Sequence, residues 1–233
     1  MISVGLDVGG TKILGVAIDQ EGSLLAEHRR ETVNDGEQLL DELGKLYEEI
    51  AADFGGDWAA GGASPPVGVG VPGLVDSKGV LLFAPNLLGA NRTDVAAGLE
   101  ARLSEHSPSV QVDNDATCAA AGESAFGAGA GRSDVLFVTL GTGIGGGVVA
   151  GGRLLRGAGN LAGEIGHFVV DPQGPPCGCG RRGCWERYAS GSGLGRIARD
   201  AALAGRASRV MALAGGDADS VLGEHVVVAL SEG

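Results

Sequence analysis

The residues best suited to chemistry are His167, Cys177, Cys179 and Cys184, three thiols and one imidazole in a Gly- and Pro-rich stretch. Four such ligands suit tetrahedral zinc, which takes thiolate and imidazole donors in closed structural sites. Free thiols are the competing reading. A disulfide would leave one of the three cysteines unpaired, because the remaining one, Cys118, lies far back in an expected helix, and cytosolic proteins seldom carry disulfides. A structural zinc supplies about 10–16 kcal/mol of apparent binding energy, comparable to the net stability of a domain. Glu164 precedes His167 by three residues and Glu186 follows Cys184 by two, so fixing the ligands also positions two carboxylates. By composition alone, the preferred reading of Glu186 in Trp185-Glu186-Arg187-Tyr188 is an exposed helix residue.

Two glycine turns could hold an anion. In Asp7-Val8-Gly9-Gly10-Thr11-Lys12 the adjacent glycines let backbone N–H groups approach a phosphate, and Thr11 adds a hydroxyl donor. Asp7 would face a bound Mg²⁺ ion through water. Alone, such a motif is more often just a tight hairpin turn. The second turn, Leu140-Gly141-Thr142-Gly143-Ile144-Gly145-Gly146-Gly147, has more glycine than a turn requires. It lacks the Walker lysine, and a strand pattern follows where a dinucleotide fingerprint needs a helix.

Asp113-Asn114-Asp115-Ala116 stands where a strand pattern ends and an alanine-rich helix pattern begins. A carboxylate there can accept the proton of a hydroxyl nucleophile, a contribution of about 10²–10⁴ in rate. The alternative is that Asn114 or Asp115 caps the helix. Asn86, in Ala84-Pro85-Asn86-Leu87, is open to a turn role in the same way.

The opening Asp7 to Lys12 motif and the run from Leu140 through Gly166, with glycines at 151, 152, 157, 159 and 163, resemble the ROK group of sugar kinases and regulators. The similarity extends over nearly the whole chain. It implies an α/β, actin/hexokinase-like (ribonuclease H-like) two-lobed ATPase fold, with lobes at 1–112 and 113–233 and the second incomplete. It further implies ATP and Mg²⁺ held by Gly5, Asp7, Gly9, Gly10, Thr11, Lys12, Gly141, Thr142, Gly143, Gly145, Gly146 and Gly147. Sugar would be held by Gly73, Asn86, Asn114, Asp115, Glu164, His167 and Glu186, and Zn²⁺ by His167, Cys177, Cys179 and Cys184. Asp115 would be the catalytic base. The implied reaction is phosphorylation of glucose to glucose 6-phosphate. Alternatives are another hexose such as fructose, mannose or an N-acetylhexosamine, or a non-catalytic sugar-binding regulator. Family members are often homodimers.

There are two departures from the family pattern. Leu88-Gly89-Ala90-Asn91-Arg92 replaces a tryptophan-containing stretch common in the family's glucokinases. Relatives also continue past the segment matching Ala202 to Gly233, so impaired nucleotide affinity and activity are expected of this chain.

The elements that must position these groups follow from periodicity. Ile2–Val8, Ile13–Ile18 and Ser23–Arg29 read as a strand meander. Leu39, Leu40, Leu43, Leu46, Tyr47, Ile50 and Phe54 recur at helical spacing behind a start at Asp35 and Gln38. Residues 57–66 read as a loop, 67–71 as a strand and 74–83 as a hairpin. Helices are expected at 93–103 and 116–125, strands at 110–112, 135–140 and 144–149, and a helix start in the segment from Gly223 onward. Such alternation favours α/β. The net charge of −12 disfavours a nucleic-acid partner. No run approaches the about 20 apolar residues of a membrane helix. The N-terminus shows no signal pattern, so a cytoplasmic location is expected, and with Asp7 so near the first residue no helix-turn-helix is expected ahead of it.

Overall fold

The computed structural model describes residues 2–54, 64–103 and 108–232. Most of the loop expected at 57–66 lies outside them. The chain divides into two compact units, Met1–Val135 with Gly147–Ala162, and Leu136–Gly146 with Gly163–Gly233.

In the first unit, β1 (Ser3–Val8), β2 (Lys12–Ile18) and β3 (Leu24–Glu31) form the expected antiparallel meander. Next come α1 (Gly36–Asp53), β4 (Val67–Val71), a small sheet of β5 (Leu74–Val75), β6 (Val80–Phe83) and β7 (Thr93–Asp94), and α2 (Val95–Arg102). Then β8 (Val110–Asn114) leads directly into α3 (Asp115–Phe126). The main sheet has the order β3-β2-β1-β4-β8, with β4 parallel to both β1 and β8. β9 (Val135–Leu140), β10 (Ile144–Ala150) and β11 (Arg153–Leu154) follow; within this unit Val149 of β10 pairs with Leu154 of β11.

Alternation drives the apolar side chains of β1 (Val4, Leu6, Val8) and β4 (Val67, Val69) into one core with α1's Leu39, Leu43, Leu46, Tyr47 and Ile50. Asp35 caps α1, its carboxylate accepting from Gln38 N–H at 3.0 Å. The helix approaches so closely that a Cβ at Gly15 of β2 would lie 2.6 Å from Leu46 Cγ. Arg30 of β3 reaches Glu42 and Glu49 of α1 at 2.6 Å each, and Arg102 ties α2 to α1 through Glu37 and Asp41.

The division expected between 112 and 113 falls inside β8, which pairs with β4 as far as Val71↔Asn114. Backbone hydrogen bonds and the buried side chain of Asp113 hold this segment in the first sheet. The chain passes to the second unit only at Leu136.

In the second unit, the inner ends of β9 and β10 flank the Gly141–Gly143 turn. A 3₁₀ turn at Ile165–His167 follows, then a loop pinned by the isolated bridges Val169↔Cys184 and Pro176↔Arg182. Four helices complete it: α4 (Glu186–Ala189), α5 (Gly191–Leu203), α6 (Ser208–Leu213) and α7 (Gly223–Ser231). Their core is small, centred on Ala198, Val210, Ala214 and Val221.

Candidate active site and metal centre

The parallel register places Asp7 opposite Gly70, and Gly70 opposite Asp113, in one row across β1, β4 and β8. The strand-to-helix step at β8 then brings Asp115 beside that row. Gly70 separates the acids: a Cβ there would sit 3.4 Å from Asp7 Oδ1 and 3.5 Å from Asp115 Cα. Burial raises the Asp115 carboxyl above its ordinary value; the neighbouring negative charge of Asp7 adds to this, and the hydrogen bond from Ala116 N–H partly offsets it. Burial raises Asp7 as well. Cys118, packed behind them, is pushed up to about 12 by burial and then by the charges of Asp113, Asp115 and Asp7, which keeps it a thiol and a poor nucleophile at neutral pH.

Three consecutive polar residues do three different things. Asn114 is the N-cap of α3, accepting from Thr117 N–H at 3.1 Å while its Nδ2 donates to Gly73 O at 3.0 Å. That leaves Asp115 free of the capping duty. Gly73 is held at φ +97°, and a Cβ there would collide with Phe83 O. Asp113 was not singled out by its sequence, yet it is buried and fully engaged. It accepts from Arg156 Nε at 2.7 Å, Asn160 Nδ2 at 3.1 Å and Asn114 N–H at 3.0 Å. Asn160, in the left-handed region at φ +60°, also donates to Val75 O at 3.2 Å. An acidic residue ending an apolar strand was the only signal available in the sequence.

The first glycine turn closes through Gly9 N–H to Lys12 O at 2.9 Å and is braced by Thr32, whose hydroxyl donates to Gly9 O and whose N–H donates to Thr11 O. Thr11 and Lys12 are exposed, and no atom lies within 4 Å of a would-be Cβ at Gly10. Gly5 lies mid-strand, where its missing Cβ accommodates Val16. Asn86 is exposed in the turn after β6. Gly147 is accounted for by packing, since a Cβ there would strike Ala120 of α3.

In the second unit, Gly141 N–H donates to Gly143 O at 3.0 Å, and Gly145 N–H donates to Thr139 Oγ1 at 3.1 Å. The start of α5 grips the turn: Gly191 N–H donates to Gly141 O at 2.8 Å and Ser192 N–H to Thr142 O at 3.2 Å. Glu186 Oε2 accepts from Ile144 N–H at 2.9 Å, and a Cβ at Gly143 would collide with that carboxylate. Glu186 is therefore half-buried and engaged, not an exposed helix residue. Gly146 lies under Ile165, which a Cβ would meet at 2.5 Å. A cavity of about 590 Å³ opens beside the turn, lined by Gly141, Thr142, Arg187, Arg196 and Arg199.

The ligand atoms of His167, Cys177, Cys179 and Cys184 all lie within 4.8 Å of one another. Cys177 Sγ is 3.5 Å from His167 Nδ1, and Cys179 Sγ is 3.6 Å from Cys184 Sγ. Zinc–sulfur bonds of about 2.3 Å in a tetrahedron put sulfurs about 3.8 Å apart, so the donor set fits that ion. A tight turn assembles the thiols: Cys177 N–H donates to Arg181 O and Gly180 N–H to Cys177 O, with Gly180 at φ +86°. With Nδ1 turned to the thiols, His167 Nε2 faces Glu164 Oε2 at 3.8 Å, an outer carboxylate of the kind that orients a ligating imidazole.

Residues 3–225 match the model of the ROK family. The chain belongs to the ROK family. A glucokinase of Streptomyces coelicolor is 39% identical over 235 aligned residues, covering 100% of this chain and 70% of that relative. An N-acetylmannosamine kinase of Escherichia coli is 36% identical, covering 94% of this chain and 71% of the relative. The crystal structure of a ROK glucokinase from Streptomyces griseus in complex with glucose and AMPPNP superposes with a TM-score of 0.80 at 38% identity, over 100% of this chain and 72% of that one. The mixed α/β architecture is thus the actin/hexokinase-like fold of the ROK glucokinases, and these relatives are sugar kinases. No described helix is long and apolar enough to cross a membrane.

Proposed function

We propose that this ROK protein phosphorylates glucose at its 6-hydroxyl, with ATP as donor. The observation that carries the reading is Asp115, a carboxylate released from helix capping by Asn114 and raised toward neutrality by burial, as suits a general base. Asp115 accepts the proton of the sugar hydroxyl as its oxygen attacks the γ-phosphorus. The bond from that phosphorus to the β–γ bridging oxygen breaks, and ADP and glucose 6-phosphate leave. Asn114 orients the sugar beside the base, and Glu164, His167 and Glu186 offer the polar groups that discriminate between hydroxyl patterns. The glycine turns at Gly9–Lys12 and Gly141–Gly143 suit phosphate oxygens, and the arginine-lined cavity beside the second turn suits the rest of the nucleotide. Asp7 would hold Mg²⁺, which neutralises phosphate charge when bound. His167, Cys177, Cys179 and Cys184 would hold a structural zinc.

Another hexose is the second reading. It is supported by the 36% identity to an N-acetylmannosamine kinase and by the Leu88–Arg92 stretch after Asn86. ATP consumption across a panel of glucose, fructose, mannose and N-acetylmannosamine, with Asp115→Ala alongside, tests both. Activity that survives Asp115→Ala would reject the mechanism; preference for a sugar other than glucose would reject the substrate. Sugar binding without turnover would point to a regulatory protein.

A further inference from the structure

The last thiol of the metal loop and the glycine turn are joined by a short rigid path. Cys184 is held in the bridge with Val169, Trp185 N–H donates to Phe168 O at 2.8 Å, and Arg187 N–H donates to Cys184 O at 2.9 Å. One residue beyond Trp185, the Glu186 carboxylate accepts the Ile144 N–H at the exit of the Gly141–Gly143 turn. Glu186's own carbonyl accepts from Ser190 Oγ at 2.7 Å. Ser190 then caps α5, whose first two N–H groups hold Gly141 and Thr142. All three ties on the turn therefore originate in residues 186–192, immediately after the metal ligands. Absence of a side chain at Gly143 is what lets the carboxylate reach Ile144.

We propose that Glu186 is a positioning residue for the Gly141–Ile144 turn, carrying the order of the Cys/His site into it, so that metal loading and this carboxylate set nucleotide affinity even without sugar. This rests on the reading of the turn as a nucleotide cradle. It differs from a sugar contact in its target: the Ile144 amide belongs to the turn, and a residue serving only the sugar would leave sugar-free nucleotide binding unchanged.

The test uses the full chain, metal-loaded and chelator-stripped, with Glu186→Gln and Glu186→Ala. Two measurements are made without sugar: amide hydrogen exchange of the 141–144 segment, and AMPPNP binding by calorimetry. A Gln retains an acceptor oxygen for the Ile144 N–H, so Glu186→Gln should stay within about threefold of the parent in affinity. Glu186→Ala should weaken AMPPNP binding about tenfold, the loss of one charge-assisted hydrogen bond, and speed exchange at Ile144. Stripping the metal should do at least as much to the parent and add little to Glu186→Ala. Exchange in β1 and β4 reports that the first unit remains folded in every sample. Unchanged Ile144 exchange in both Glu186→Ala and the stripped parent would overturn the proposal. A parent that binds no AMPPNP, but whose Ile144 exchange still rises in Glu186→Ala, would sink the nucleotide reading and leave the positioning role standing.

Discussion

Asp115 and Glu186 are both carboxylates at the start of a helix, yet they are held in place by opposite means. Asp115 stands at the end of a five-stranded sheet over a deep core that includes Leu6, Val8, Leu43, Tyr47 and Val69. Its position is set by parallel strand pairing and hydrophobic burial. Glu186 follows a loop with two isolated bridges, in a unit whose described core centres on Ala198, Val210, Ala214 and Val221. Such a core supplies little burial energy; on the proposed zinc reading, ligation by the Cys/His cluster does there what apolar packing does in the first unit. The first carboxylate depends on solvent exclusion; the second, on the same zinc reading, depends on ligation, and each should fail to its own stress.

The widest gap should come from the metal. A chelator, or Cys184→Ser at a fully buried position, removes an apparent binding energy of about 10–16 kcal/mol. Calorimetry should show the transition of the second unit lost while that of the first persists. A first-unit transition that moves equally would break the contrast.

Asp115→Asn should cut phosphorylation by about 10²–10⁴, read by coupled assay, while the metal content stays the same. Its pH dependence sharpens the point. Because the folded carboxyl is raised, activity that needs the carboxylate should fall away at a higher pH than an ordinary aspartate would give. Stability has the opposite sign: the raised group favours the folded state while protonated, and that contribution is lost as pH rises through the folded value. Urea titrations should therefore show Asp115→Asn more stable than the parent at pH 7, with the difference vanishing below the ordinary aspartate value of 3.8.

Leu43→Ala, at a fully buried position of α1, should cost about 2–5 kcal/mol. The loss should appear in the first-unit transition alone. The smallest expected effect is that of Asp113→Asn. It weakens the pairing to an Arg156 that is 50% exposed, and that screening limits the loss to about 1 kcal/mol. Hydrogen exchange should quicken around Arg156 and Asn160 more than at β4. A uniform rise would mean that Asp113 supports the whole sheet and not that loop.

Most strands and helices were legible because they rest on local periodicity: the β1–β3 meander, α1 with its Asp35 cap, β8 and α3 all lie where the apolar pattern puts them. The lobe boundary was not, because composition does not change between Val112 and Asp113; only the pairing of Asn114 with Val71 shows that the strand continues. Asp113 was passed over for the same reason. Its importance lies in Arg156 and Asn160, more than forty positions away in sequence, and no local pattern marks a buried acid whose partners come from a distant loop. Gly5 and Gly147 show the converse, since glycine in a motif can answer to a neighbouring Val16 or Ala120 as readily as to a ligand.

By itself the sequence determined the Cys/His donor set, the family and the period of each element, because these depend on residue type and near-neighbour spacing. Only the tertiary structure decided that Asn114 and not Asp115 caps α3, that Asp115 lies beside the row of Asp7, Gly70 and Asp113, and that Glu186 grips the Ile144 amide. Those are choices among several partners that one side chain could take, and packing between segments remote in the chain makes the selection.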